Sequence, residues 1–270
     1  MIELPKQRIK ATSTNPKFMV LFARPKTGKS TFCASLEDNL VLDLEDGYTA
    51  LDAMKVVLTD NSTCIDDIKD VVRLLHKEKK ETGKNPYRFI TIDNATRLEE
   101  RINKYAIQLY QETPVGKNWG YMKDANGMFV KDKDGNNIID PKADIKSLAM
   151  GAGYAYIKQA IINVLQWLQS YCDTLILVCH TKDKNIAIAG SEMNEMSVDL
   201  LGKTGDVICG MADAVGYMYR NTAGETILSF KAGDNVIRGA RAEHLRNMEF
   251  PVITVDKDNK VVVDNSKIFI

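Results

Sequence analysis

The chain has 270 residues, 44% of them apolar, with only 7 Pro and 17 Gly, enough to bury one large core with decorations. Thirty-six basic and thirty-six acidic side chains cancel, which excludes a long-range field drawing the whole molecule onto nucleic acid or an anionic membrane and leaves such contacts to local patches. The cysteines at 33, 64, 172, 179 and 209 are scattered, without a C-x-x-C pair, and predict reduced core thiols in a cytoplasmic protein. Met1 to Thr14 carries no apolar signal core, and no apolar run approaches the roughly eighteen residues of a membrane span.

Lys17 to Phe22 is an apolar run after Pro16 and predicts a strand buried on both faces. A loop and a helix from Ser30 to Leu36 follow, then a second strand, Leu40 to Leu42, running into Asp43-Leu44-Glu45-Asp46-Gly47. Helices are expected over Thr49 to Leu58 and Ile65 to Glu81, the latter with Ile65, Ile68, Val72 and Leu75 on one face. Phe89 to Ile92 is the third strand, closed by Asp93, and a helix should run from Ala95 to Gln111. Glu112 to Gly153 is irregular, with a hairpin signal at Asp134-Gly135. Tyr154 to Tyr171 is a periodic helix leading into a fourth strand, Thr174 to Cys179, capped by His180. A polar loop from Thr181 to about Thr204 precedes an antiparallel tail at 214–219, 226–231, 252–255 and 261–263. The expected architecture is α/β: a mostly parallel sheet flanked by helices on both faces, with antiparallel C-terminal strands. The expected organisation is a single domain over 1–270, with an insertion at about 112–153 and a β-rich tail at about 213–270. In such sheets ligands bind at the carboxyl ends of the strands.

Those ends carry the chemistry. Ala23-Arg24-Pro25-Lys26-Thr27-Gly28-Lys29-Ser30 fits [Ala or Gly]-x-x-x-x-Gly-Lys-[Ser or Thr], with an apolar strand before it and a helix after it. In that context Pro25, Lys26, Thr27, Gly28, Lys29, Ser30 and Thr31 form the nucleotide-binding loop, in which backbone N–H groups near Lys26 to Thr31 wrap the β-phosphate of ATP and Lys29 spans the β- and γ-phosphates. The Ser30 hydroxyl would ligate Mg, and Asp93 would hold the ion through a water. The residue after Asp93 is Asn94 rather than Glu, so the group that orients the attacking water must come from elsewhere. Glu45 is the candidate, on the expectation that strand two lies next to the phosphate-loop strand. Asp43 reads equally as a turn former. His180 can contact the γ-phosphate and report it to the loop behind.

With these residues in place the chain resembles the RecA-like ATPases. Leu42-Asp43-Leu44-Glu45 looks like that group's strand ending in the catalytic glutamate, Ile90-Thr91-Ile92-Asp93-Asn94 like its Mg-site strand, and Val178-Cys179-His180 lies where it carries a polar sensor. More narrowly, Pro25 to Ser30, Asp43-Leu44-Glu45-Asp46-Gly47 and Ala212-Asp213-Ala214-Val215-Gly216-Tyr217 resemble a family of bacteriophage nucleotide-binding proteins associated with phage recombination. That narrower resemblance implies partnership with single-strand annealing or single-strand-binding proteins, and the RecA-like one implies oligomerisation and contact with single-stranded DNA through 112–153 and 181–204. Lys117, Trp119, Tyr121 and Lys123 in the first segment, and Lys182, Lys184 and Lys203 in the second, offer rings and cations for such contact. It also implies a cation supplied in trans, for which Lys231, Arg238 and Arg241 are available. Two other functions fit a phosphate loop: a nucleotide-gated accessory or loading module with little turnover, and a small-molecule kinase. The absence of Arg between Arg101 and Arg220 counts against a kinase lid.

Overall fold

The computed structural model describes residues 4, 6–11, 13–188, 191–233 and 235–270, with the backbone alone at 184–188 and 191–194. Its elements in chain order are β1 (Phe18–Ala23), α1 (Lys29–Ala34), β2 (Asn39–Asp43), β3 (Met54–Val57), α2 (Cys64–Thr82), β4 (Tyr87–Asp93), α3 (Ala95–Arg101), α4 (Asn103–Gln111), α5 (Gly153–Gln169), β5 (Cys172–Ile188), β6 (Ser191–Val198), α6 (Thr204–Met211), β7 (Ala214–Arg220), β8 (Thr226–Ser229), β9 (Gly239–Ala240), β10 (Glu249–Val255) and β11 (Val261–Val263).

The strands form one sheet in the order β11-β10-β8-β7-β1-β5-β4-β2-β3, with β6 paired to β5 and β9 to β7. From β7 to β3 the pairs are parallel. Alternation along the strands sends Phe18, Val20, Phe22, Leu42, Ile90 and Ile92 to one face, covered by α2 to α6, and Met19, Leu21, Val41 and Val178 to the other. Helices on both faces were expected. Both faces do carry helix, the second through the short α1, beside which the C-terminal segment packs, with Phe32, Leu245, Phe250, Val252, Ile268 and Phe269 in its core.

Four expectations about elements change. Thr49 to Leu58 is a turn followed by the edge strand β3, not a helix, because its β-branched end pairs with β2 from Leu40↔Met54 to Asp43↔Val57. The polar loop after His180 is a hairpin arm: β5 runs on to Ile188 and returns as β6, in register from Thr181↔Val198 to Ile188↔Ser191. The 214–219 strand joins both parts of the sheet: β7 lies parallel to β1 and pairs antiparallel with β8 and β9, and the β8–β10 and β10–β11 pairs continue the antiparallel tail. The helix expected from Ala95 is divided between α3 and α4 at Ile102.

The hairpin signal in the insertion is met twice. Lys123↔Phe129 and Lys131↔Asn137 bridge two successive hairpins, and the Asp132 carboxylate accepts the backbone N–H groups of Asp134 and Asn136 at the second tip. All five cysteines are free and buried, as expected. Among the described residues no helix is long and apolar enough to cross a membrane.

Candidate functional site

Register brings the predicted residues to one edge of the sheet. Ala23 pairs with His180 and Asp43 with Asp93, so the ends of β1, β2, β4 and the middle of β5 face one crevice. The glutamate-bearing strand is not a neighbour of β1, as was expected: β5 and β4 intervene. Glu45 reaches the site because the chain turns back after Asp43 rather than because its strand adjoins the loop.

That turn is built by Asp43, which is fully buried. Its Oδ1 accepts the backbone N–H of Glu45 and of Gly47, each at 3.1 Å, and its Oδ2 that of Tyr48 at 3.3 Å. Asp43 therefore shapes the loop and is not offered to a ligand. Tyr48, also buried, sends its hydroxyl to Asp93 Oδ2 at 2.8 Å. Ser30 Oγ donates to the same oxygen at 2.9 Å. Burial pushes the Asp93 carboxyl above its ordinary range, opposed by these two hydrogen bonds and by Lys29.

The phosphate loop bends through left-handed backbone at Lys26 (φ 63°) and Gly28 (φ 110°). Thr27 Oγ1 donates to Arg24 O at 2.8 Å, and Thr226 Oγ1 on β8 donates to Thr27 O at 3.1 Å, bracing the loop from outside. Lys29 Nζ donates to Ala23 O at 3.1 Å and Arg24 O at 3.2 Å. Burial lowers the Lys29 pKa, with Asp93 pulling the other way. Pro25 and Lys26 are exposed at the loop's crest, and Thr31 lies in the first turn of α1.

Asn94 is the junction of the other half. Its Oδ1 accepts Arg97 N at 3.0 Å, capping α3, and its Nδ2 lies 3.0 Å from His180 Nε2. His180 Nδ1 is buried and makes no hydrogen bond with the described residues. Glu45 Oε1 stands 3.8 Å from His180 Nε2 and accepts Arg97 Nε at 3.1 Å. Sequence reasoning had found Lys29, Ser30, Glu45, Asp93 and His180 but not Tyr48, Arg97 or Thr226. Arg97 carried a signal, since an Asn three residues before an amide at a helix start is a capping pattern. The Tyr48 and Thr226 contacts cross 45 and 199 residues of chain and have no local mark.

The oxygen pair Ser30 and Asp93 suits a hard divalent cation such as Mg. Among the described residues no group of three or more His, Cys, Asp or Glu side chains could hold a metal. The other ligands would have to be water and phosphate oxygens, the usual company of Mg.

Of the tail cations expected to act in trans, Arg238 and Arg241 are held by this chain's own groups. Arg241 is anchored by Asp213 Oδ1 at 3.3 Å and Gly210 O at 2.9 Å, beside the amino end of β1, where Asp213 also accepts Lys17 N. Arg238 donates to Ser229 Oγ at 2.9 Å, and Lys231 is exposed. In the segments expected to meet DNA, Trp119 packs against Tyr110 with ring centroids 5.7 Å apart and adjoins the core, while Lys117, Lys123 and Lys203 are exposed. Lys182 donates to Leu200 O, and the Lys184 side chain lies outside the described residues.

A phosphate loop on β1, the His180-bearing strand β5 between it and the carboxylate strand β4, and an acidic turn after β2 define a P-loop NTPase with a RecA-like core. The chain belongs to the AAA domain family, whose model matches residues 15–132 and 130–242. The two matched stretches meet inside the hairpin insertion. No curated protein matches the chain. Among solved structures, a KaiC-like protein from the hyperthermophilic archaeon Pyrococcus horikoshii OT3 is similar at 13% identity and a TM-score of 0.41, covering 92% of this chain and 89% of that one.

Proposed function

We propose that this protein binds ATP with Mg and hydrolyses it. Pro25 to Thr31 hold the phosphates, Lys29 spans β and γ, Ser30 and Asp93 hold the metal, Glu45 orients the attacking water, and His180 senses the γ-phosphate. The observation that carries this reading is the meeting of Lys29, Ser30, Asp93, Glu45 and His180, drawn from the ends of β1, β2 and β4 and the middle of β5, in one crevice. Lys29 and Asp93 are both buried charges whose pKa values shift toward the uncharged form, so a phosphate and a cation would each relieve a desolvation cost.

The work done with ATP, on this reading, is phage DNA recombination or replication on single-stranded DNA, as an oligomer and beside a single-strand-binding or annealing protein. Its support is the resemblance of the phosphate loop, the acidic turn and 212–217, together with the exposed Lys117, Lys123 and Lys203 in the two segments expected to meet DNA. Phosphate release with and without single-stranded DNA at two salt concentrations tests it. Stimulation that fades as salt rises is expected, since phosphate contacts release counterions. No stimulation at low salt would reject the DNA role and leave the ATPase intact. Lys29→Ala should abolish ATP binding; retained affinity would reject the nucleotide site itself.

A further inference from the structure

We infer that Arg97 is a positioning residue for Glu45, an inference resting on the reading of Glu45 as the group that orients water. Arg97 Nε donates to Glu45 Oε1 at 3.1 Å, and the same oxygen faces His180 Nε2 at 3.8 Å. Oε2 takes no hydrogen bond from the described residues, so the carboxylate is held by one oxygen and presents the other.

The guanidinium is itself aimed. Its Nη1 donates to Glu100 Oε2 at 2.7 Å, one turn further along α3, and its backbone N–H is capped by Asn94. Helix α3 is fixed from the far side as well. Glu99, 6% exposed, accepts Leu201 N with both carboxylate oxygens at 3.0 Å, and Thr96 Oγ1 donates to Asp199 O at 3.0 Å. Turning α3 enough to withdraw Arg97 would break a buried carboxylate's hydrogen bonds. Arg97 is thus clamped by its own helix on one side and offers its third interaction to Glu45.

The physical need is clear from charge. A carboxylate beside a triphosphate is repelled by it, and Glu45 sits on an exposed turn with its side chain one-third accessible. One cation on Oε1 offsets the repulsion and fixes the rotamer while leaving Oε2 free of hydrogen bonds from the described residues. Misplacing a catalytic group by about 1 Å can cost on the order of a hundredfold in rate.

The test is steady-state ATP turnover by Arg97→Ala, Arg97→Lys and Glu45→Gln of the full chain. Arg97 is 46% exposed, so its replacement leaves the core packing in place. Arg97→Ala should lower kcat by about 10- to 100-fold with KM for ATP nearly unchanged. Arg97→Lys should recover part of the loss, and added guanidinium ion should partly rescue Arg97→Ala but not Glu45→Gln. Turnover of Arg97→Ala equal to or above wild type, with Glu45→Gln inactive, overturns the role of Arg97 alone. Wild-type turnover by Glu45→Gln overturns the assignment of Glu45 and this inference with it.

Discussion

Ser30 and Tyr48 donate to one and the same oxygen of Asp93, at 2.9 and 2.8 Å. The phosphate-loop helix, the acidic turn and the carboxylate strand are thereby pinned at a single atom. Tyr48→Phe keeps the buried ring and removes one of the two donors. The expected result is a loss of about 1 kcal/mol in chemical denaturation and a higher Mg concentration needed for half-maximal ATP binding.

The pH dependence follows from the same carboxyl. Burial raises the folded pKa of Asp93 above its unfolded value, so its contribution to stability is complete below the ordinary carboxylate range and is lost as pH rises through the folded value. At neutral pH the buried charge is a cost. Asp93→Asn should therefore melt higher than wild type at pH 7 without Mg and ATP, with the gap closing toward about pH 4. The same variant should lose the stabilisation that Mg and ATP confer on wild type. Thermal unfolding at the two pH values, with and without Mg and ATP, reads both effects.

Gly28 is required twice over. Its φ of +110° disfavours any L side chain, and a Cβ there would sit 2.7 Å from Ile253 Cδ1. Gly28→Ala should cost about 1–3 kcal/mol in stability and reduce ATP affinity at least tenfold in a fluorescent-nucleotide titration. Adding Ile253→Val relieves only the contact, so the double variant should regain little affinity.

Asp43 should behave as a structural residue. Asp43→Ala leaves the N–H groups of Glu45, Gly47 and Tyr48 without their buried acceptor, a loss of about 2–4 kcal/mol. Turnover should fall with it because Glu45 rides on the turn, while Asp43→Asn, which keeps one acceptor oxygen, should retain part of both.

Much of this site was legible in the sequence because its parts are local strings at strand ends: Ala23 to Ser30, Asp43 to Gly47, Asp93-Asn94 and His180 each follow an apolar run. What could not be read was how those ends are ordered in space. Strand adjacency depends on crossovers, and β5 enters between β1 and β4 after some eighty residues of intervening chain, so Glu45 was expected beside the loop on the wrong ground. The hairpin arm was missed because the stretch after His180 opens Thr181-Lys182-Asp183-Lys184-Asn185, a polar run with no period-2 alternation to mark a strand. Met54 to Val57 was misread because a short edge strand beside a turn leaves too few residues to distinguish period 2 from period 3.6.

The central claim is that a glutamate past β2 orients water for ATP hydrolysis at a phosphate loop on β1. Phosphate release by Glu45→Gln at saturating Mg and ATP tests it most directly, with ATP binding measured in the same preparation. The account predicts near-wild-type binding with turnover reduced by at least about a hundredfold, within the range general-base catalysis supplies. Turnover at the wild-type rate would contradict it.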